Sequence, residues 1–149
     1  MMKNVVISIR SIHDCGLDYQ DIIEFTTDGL YMLDGDTACL TYMETVVTGM
    51  DGTRTSVMVM PDKVVVDHDG SITSRMIFRE GEKTSFLYDT PVGQTTLSIS
   101  TRSILHSFDA NGGSVELDYV LDMEHTVISR NRFELNVTLL KQMGEQINV

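Results

Sequence analysis

Polar and apolar residues alternate with a period of two along most of the chain. Val115, Leu117, Tyr119 and Leu121 alternate with Ser114, Glu116 and Asp118, and Phe133, Leu135, Val137 and Leu139 with Glu134, Asn136 and Thr138. Near the N-terminus Val5, Ile7 and Ile9 oppose Ser8 and Arg10. In the middle Ile72, Met76 and Phe78 oppose Arg75 and Arg79, and Thr95, Leu97 and Ile99 oppose Thr96, Ser98 and Ser100. Extended backbone sends successive side chains to opposite faces, so this is the pattern of strands with one dry side. Turn chemistry punctuates the runs. Asp28-Gly29, Asp34-Gly35, Asp51-Gly52 and Asp69-Gly70 suit the positive φ of tight hairpins, and Glu80-Gly81, Pro91-Val92-Gly93 and Asn111-Gly112-Gly113 add three more signals. The spacing predicts strands near 4–13, 19–27, 29–34, 37–44, 53–61, 63–68, 71–79, 83–90, 93–101, 104–109, 113–122 and 126–140, with ends fixed to about two to four residues.

No segment carries a convincing helical period. Leu139 to Gln146 predicts at most a short terminal turn, weakened by Gly144 and Asn148. An open sheet of so many twisted strands has to curl or split, and closure removes the exposed edges. Strands joined hairpin by hairpin close as an up-and-down barrel. The expected fold is therefore all-β, a single antiparallel barrel domain over 1–149, with a two-sheet β-sandwich as the alternative.

Composition sharpens this in three places. The 149 residues are 42% hydrophobic, enough to bury a real core, and no run approaches the roughly 18 apolar residues that span a bilayer. Met1 to Ser11 reads as the first strand and not as a secretory signal, because Ser8 and Arg10 interrupt the apolar stretch. The protein is accordingly expected in the cytoplasm. Cys15 in a turn and Cys39 in a strand do not make a disulfide framework. The formal net charge of -11, with no basic stripe, disfavours nucleic acid and anionic membranes as partners.

Candidate chemistry is sparse. His13, His68, His106 and His125 form neither a His-x-His nor a His-Glu-x-x-His spacing. His106 shares a face with Ile104 and Phe108, which predicts an inward-pointing side chain. Arg75 and Arg79 lie four residues apart on one strand; the alternation favours the outside, where carboxylates such as Glu116 or Asp118 would pair with them. Facing inward, they would clamp a carboxylate or phosphate. There is no Gly-x-Ser-x-Gly elbow and no phosphate loop, and Cys15 beside His13 lacks an orienting third group. The clusters Asp34-Gly35-Asp36 and Asp67-His68-Asp69 read as tight turns, short of the ligand count of a calcium loop. No metal or cofactor is implied. Of ten methionines, Met32, Met43, Met50, Met58, Met60, Met76 and Met123 fall in strands or at their ends, as core filling or as the pliable lining of an apolar site.

One run carries a family resemblance. It comprises Asp69-Gly70, Ser74-Arg75, Phe78, Gly81 and Tyr88-Asp89-Thr90-Pro91-Val92-Gly93, leading into a strand with Thr101. Upstream stand Leu40-Thr41-Tyr42 and Glu44; downstream stand Tyr119 and Leu121. Over nearly the whole chain the sequence resembles the YwiB-like family of small bacterial proteins of unknown function. The resemblance implies a calycin-like, lipocalin-type β-barrel and supplies no activity. His68 stands where the family often has arginine, and Val92 where it often has an aromatic residue.

Two functions follow as expectations. A barrel of this size encloses one small apolar or amphipathic ligand, with Tyr42, Arg75, Tyr88, His106 and Tyr119 as the ligand-binding candidates. Alternatively, the barrel is packed solid and an outer face meets a partner or a second copy as a homodimer. Three consecutive valines, Val64, Val65 and Val66, cannot all point inward, and so mark such a face. Catalysis is the least favoured reading. It would need His106, Tyr88 and Arg75 gathered inside.

Overall fold

A computed structural model of the protein describes residues 2–16 and 19–140. They form ten strands: β1 (Lys3–Gly16), β2 (Tyr19–Asp34), β3 (Thr37–Met43), β4 (Arg54–Val59), β5 (Val64–Asp69), β6 (Ser74–Phe78), β7 (Lys83–Thr90), β8 (Gly93–Asp109), β9 (Gly112–Met123) and β10 (Thr126–Leu139). All belong to one antiparallel sheet in the order β6-β5-β4-β3-β2-β1-β10-β9-β8-β7. Every neighbour is also a neighbour in sequence except β1 and β10, which pair from Val5–Leu139 to Asp14–Arg130. The outermost strands, β6 and β7, meet. Thr73 and Asp89 exchange two backbone hydrogen bonds of 2.9 Å, and the Thr84 hydroxyl donates to the Ile77 carbonyl at 2.6 Å. The result is a nearly closed up-and-down barrel, and the sandwich alternative falls because the sheet is continuous.

Twelve predicted spans become ten strands for two local reasons. Asp28-Gly29 is not a turn: Asp28 and Gly29 pair with Val6 and Val5 inside β2. Gly29 is needed there for space, since a Cβ would overlap the Ile7 side chain and stand 2.7 Å from the Thr41 carbonyl oxygen. The predicted break after Thr101 is a bulge at Arg102 within β8. The β6–β7 loop reads that bulge, with Gly81 N donating to Thr101 O (2.9 Å), Thr101 N to Glu82 O (3.1 Å) and Ile104 N to the Glu80 carboxylate (3.0 Å). The other three Asp-Gly pairs lie at turns or strand ends as expected. The predicted terminal turn extends past Leu140 to residues outside the described ones.

The core lies inside the barrel. Val5, Ile7, Tyr31, Ala38, Leu40, Val57, Val59, Val64, Phe78, Ile99, Val115, Leu117 and Leu135 are almost completely buried. Each comes from the apolar phase of its strand, and the pairings stack them across strands, as in Leu40–Val57–Val66–Met76. The loops after β2, β4, β6 and β8 gather at one end of the barrel. That end is sealed: the Tyr31 ring stacks on Phe108 at 6.0 Å and its hydroxyl donates to the Asp109 carbonyl at 2.7 Å.

Candidate functional site

At the other end, under the loops after β3, β5, β7 and β9, the barrel is not filled. A cavity of about 260 Å³ opens there. Its apolar wall comes from Ile9, Ile23, Phe25, Val66, Met76, Phe78, Leu117 and Phe133, with Met50 reaching in from the β3–β4 loop. Among this wall stand Ser11, His13, Tyr42, Glu44, Thr48, Thr55, His68, Tyr88 and Tyr119.

The polar groups arrive by register. Tyr42, Thr55, His68 and Ser74 are successive partners across β3 to β6, one step beyond the apolar row Leu40–Val57–Val66–Met76. His13, Asn131, Tyr119 and Thr101 form a second row across β1, β10, β9 and β8. Each of these residues keeps the inward phase of its strand but replaces an apolar side chain with one that can hydrogen-bond. His13 Nδ1 lies 2.6 Å from Asn131 Oδ1, and its Nε2 lies 3.0 Å from the Ser11 hydroxyl. With the proton on Nδ1, both contacts are satisfied. His68 Nδ1 lies 3.0 Å from the Ser74 hydroxyl.

Glu44 is the buried carboxylate that lines this cavity. It continues the inward phase of Ala38, Leu40 and Tyr42 just past β3, where its N–H donates to Thr53 O at 2.8 Å. The Thr55 hydroxyl donates to one carboxylate oxygen, and the Thr48 hydroxyl donates to the other at 2.9 Å. The loop is anchored from below: Thr53 Oγ1 meets the Ser71 hydroxyl at 2.8 Å and accepts from Ile72 N at 3.2 Å, and Ser71 donates to Asp51 O at 2.9 Å. Burial, and then the adjacent Glu44 carboxylate, hold the Tyr42 phenol well above its ordinary value. Burial alone pushes Tyr119 up to about 12, and its ring packs edge-on against Phe78 at 4.9 Å. Burial lowers His68 below 6.5, and the negative charges of Glu44 and Asp67 partly offset this.

Of the five candidate residues, three come together: Tyr42, Tyr88 and Tyr119 line the cavity. Arg75 and His106 do not. Arg75 lies outside, where the register sets it directly opposite Asp67; the ion pair of 3.7 Å forms with that residue, and not with Glu116 or Asp118. His106 does sit opposite inward-facing Val115, yet it is exposed, because β7 pairs only with the first half of β8 and leaves that stretch uncovered. The triad that catalysis would need is therefore not assembled. The apolar face expected at Val64–Val66 is also absent, since all three valines are buried. Val65, on the outer side, sits between Met58 and Ile77 in the register. Cys39 is half-buried, Cys15 is exposed, and both are free thiols.

Sequence reasoning missed Ser11, His13, Thr55, His68 and Glu44 as cavity residues. The signal was available: each is a polar residue standing in phase with the apolar face of its strand. Their closeness to turn residues masked it.

Residues 7–135 match a family described as a domain of unknown function, DUF1934. The chain belongs to the DUF1934 family. A relative, the uncharacterized beta-barrel protein YwiB of Bacillus subtilis, is 30% identical over 100 residues, which is 67% of this chain and 69% of YwiB. The crystal structure of the ywiB protein from Bacillus subtilis superposes with a TM-score of 0.82 at 22% identity, over 93% of this chain and 92% of that one. That likeness bears out the barrel and the resemblance noted in the sequence, and it carries no activity with it. Among the described residues no helix is long and apolar enough to cross a membrane.

Proposed function

We propose that this DUF1934 barrel is a binding protein whose open end holds one small amphipathic molecule. The observation that carries the reading is the 260 Å³ cavity, apolar on most sides, into which Tyr42 and Glu44 converge from β3 and its end, His68 from β5 and Tyr119 from β9. Binding sites combine a mostly apolar wall with a few placed polar groups in this way. An engineered cavity of about 150 Å³ takes a benzene, so the occupant has about ten non-hydrogen atoms. Free Cys15 and Cys39 support a reducing compartment, and we place the protein in the cytoplasm on that ground.

Native mass spectrometry of gently purified protein, beside the same sample denatured, tests the reading. A reproducible excess mass that is lost on denaturation is expected. Protein that carries no excess mass and takes up none of a panel of small amphipathic molecules would refute it.

A further inference from the structure

We infer that the ligand of this cavity is an organic cation, an ammonium group carried on a small apolar body; the inference rests on the binding reading above. Its basis is a buried negative charge with no positive partner among the described residues. Glu44 is 4% exposed, and its two carboxylate oxygens take hydrogen bonds from the Thr48 and Thr55 hydroxyls, with the Tyr42 phenol beside them. The other buried carboxylate, Asp122, is treated differently by the fold: Lys83 Nζ sits 3.1 Å from it. Among the described residues, no lysine, arginine or histidine forms an ion pair with Glu44, and neither Lys nor Arg lines the cavity. His68 does not fill the gap, because burial holds it below its ordinary value and so neutral at pH 7.

A buried carboxylate without a counter-charge is costly, and hydroxyl donors only partly replace water. An ammonium group entering the cavity supplies the missing charge and donates charge-assisted hydrogen bonds. The rest of the lining suits the same guest. Phe25, Tyr42, Phe78, Tyr88, Tyr119 and Phe133 surround the space, and aromatic faces attract cations. The net charge of -11 favours approach of a cation and opposes an anion. A carboxylate or phosphate ligand would meet Glu44 with no arginine or lysine to receive it.

Calorimetric titration of the full chain with three probes that share one phenylethyl body tests this: phenethylamine, phenethyl alcohol and phenylacetate. The amine should bind at least about tenfold more tightly than the alcohol, a difference of about 1.4 kcal/mol, and phenylacetate should bind weakest. In Glu44→Gln the amine's advantage over the alcohol should vanish. The wild-type comparison needs no variant, so it decides the matter even if Glu44→Gln fails to fold. An alcohol that binds as tightly as the amine, or an amine advantage that survives Glu44→Gln, overturns the cation and leaves the binding barrel standing. No binding of any of the three overturns the cation as well, and the mass-spectrometric test above then decides the fate of the barrel as a binder.

Discussion

The two ends of the barrel are built from the same strands and the same alternation, yet one is sealed and the other is hollow. At the sealed end the inward positions are Tyr31, Ala38, Leu40, Val57, Val59 and Val64, all close to fully buried. The one polar atom carried in there, the Tyr31 hydroxyl, is used up on the Asp109 carbonyl. At the hollow end the inward positions pass to Thr55, His68, His13 and Glu44, whose hydrogen bonds go to one another and to neighbouring side chains. Apolar packing at one end fixes the fold, which frees the other end to carry polar groups that a solid core would not tolerate. The difference separates stability from binding along a single axis.

Truncation should break the symmetry between the ends most strongly. Leu40→Ala at the sealed end removes a buried side chain from close packing and should cost about 3 kcal/mol. Phe25→Ala or Met76→Ala enlarges a space that already exists, and should cost about 1 kcal/mol. Urea denaturation of the three variants, read as midpoint shifts at constant slope, measures both. Equal losses at the two ends would mean that the cavity collapses in solution and that the contrast is not real.

The sealed end was legible in the sequence, and the hollow end only in part. Alternation in 113–122 and 126–140 predicted β9 and β10 closely, because strands with one dry side write their register into side-chain polarity. Gly29 shows where that legibility stops. Asp-Gly is a turn signal when glycine is chosen for its φ, but here glycine is chosen for lack of a Cβ beside Ile7 and Thr41, and a neighbour across the sheet cannot be seen from local sequence. His106 illustrates the same limit. Parity along a strand says which face a residue takes, and it says nothing of whether an adjacent strand extends far enough to cover that face. Tyr42, Tyr88 and Tyr119 could be singled out as polar-tipped inward residues. Glu44 stands with them because it carries the inward phase of Ala38, Leu40 and Tyr42 one step past β3.

The turns sharpen the comparison at a smaller scale. At the sealed end the β2–β3 turn places Gly35 at φ 62°, where glycine costs nothing sterically. At the hollow end the β9–β10 turn puts Glu124 at φ 51° and His125 at φ 67°, two side-chain-bearing residues in the left-handed region. Each such residue is disfavoured by about 1–2 kcal/mol relative to right-handed backbone. His125→Gly should therefore stabilise the protein by about 1 kcal/mol after the added freedom of the unfolded chain is deducted. The same denaturation experiment reads this as a higher midpoint. An unchanged or lower midpoint would mean that the His125 side chain makes a stabilising contact that outweighs the strain.

The smallest expected effect concerns pH, and it acts through His68 at the hollow end. Burial lowers His68 below 6.5, so the folded protein resists a proton that the unfolded chain accepts. Between the depressed value and 6.5 the unfolded state binds more protons, and stability rises with pH across that window. The contribution is thus fully present above 6.5 and is lost as pH falls through the window. His68→Asn keeps a group able to bond the Ser74 hydroxyl while removing the titration. Melting temperatures of both proteins at about pH 7.5 and about pH 5.5 should diverge, with the wild type losing more on acidification. Parallel losses would place the acid sensitivity elsewhere and would take His68 out of the energetic account of the cavity. A steeper loss in the wild type would tie the cost of acid to the inward polar row, the feature that distinguishes the hollow end from the sealed one.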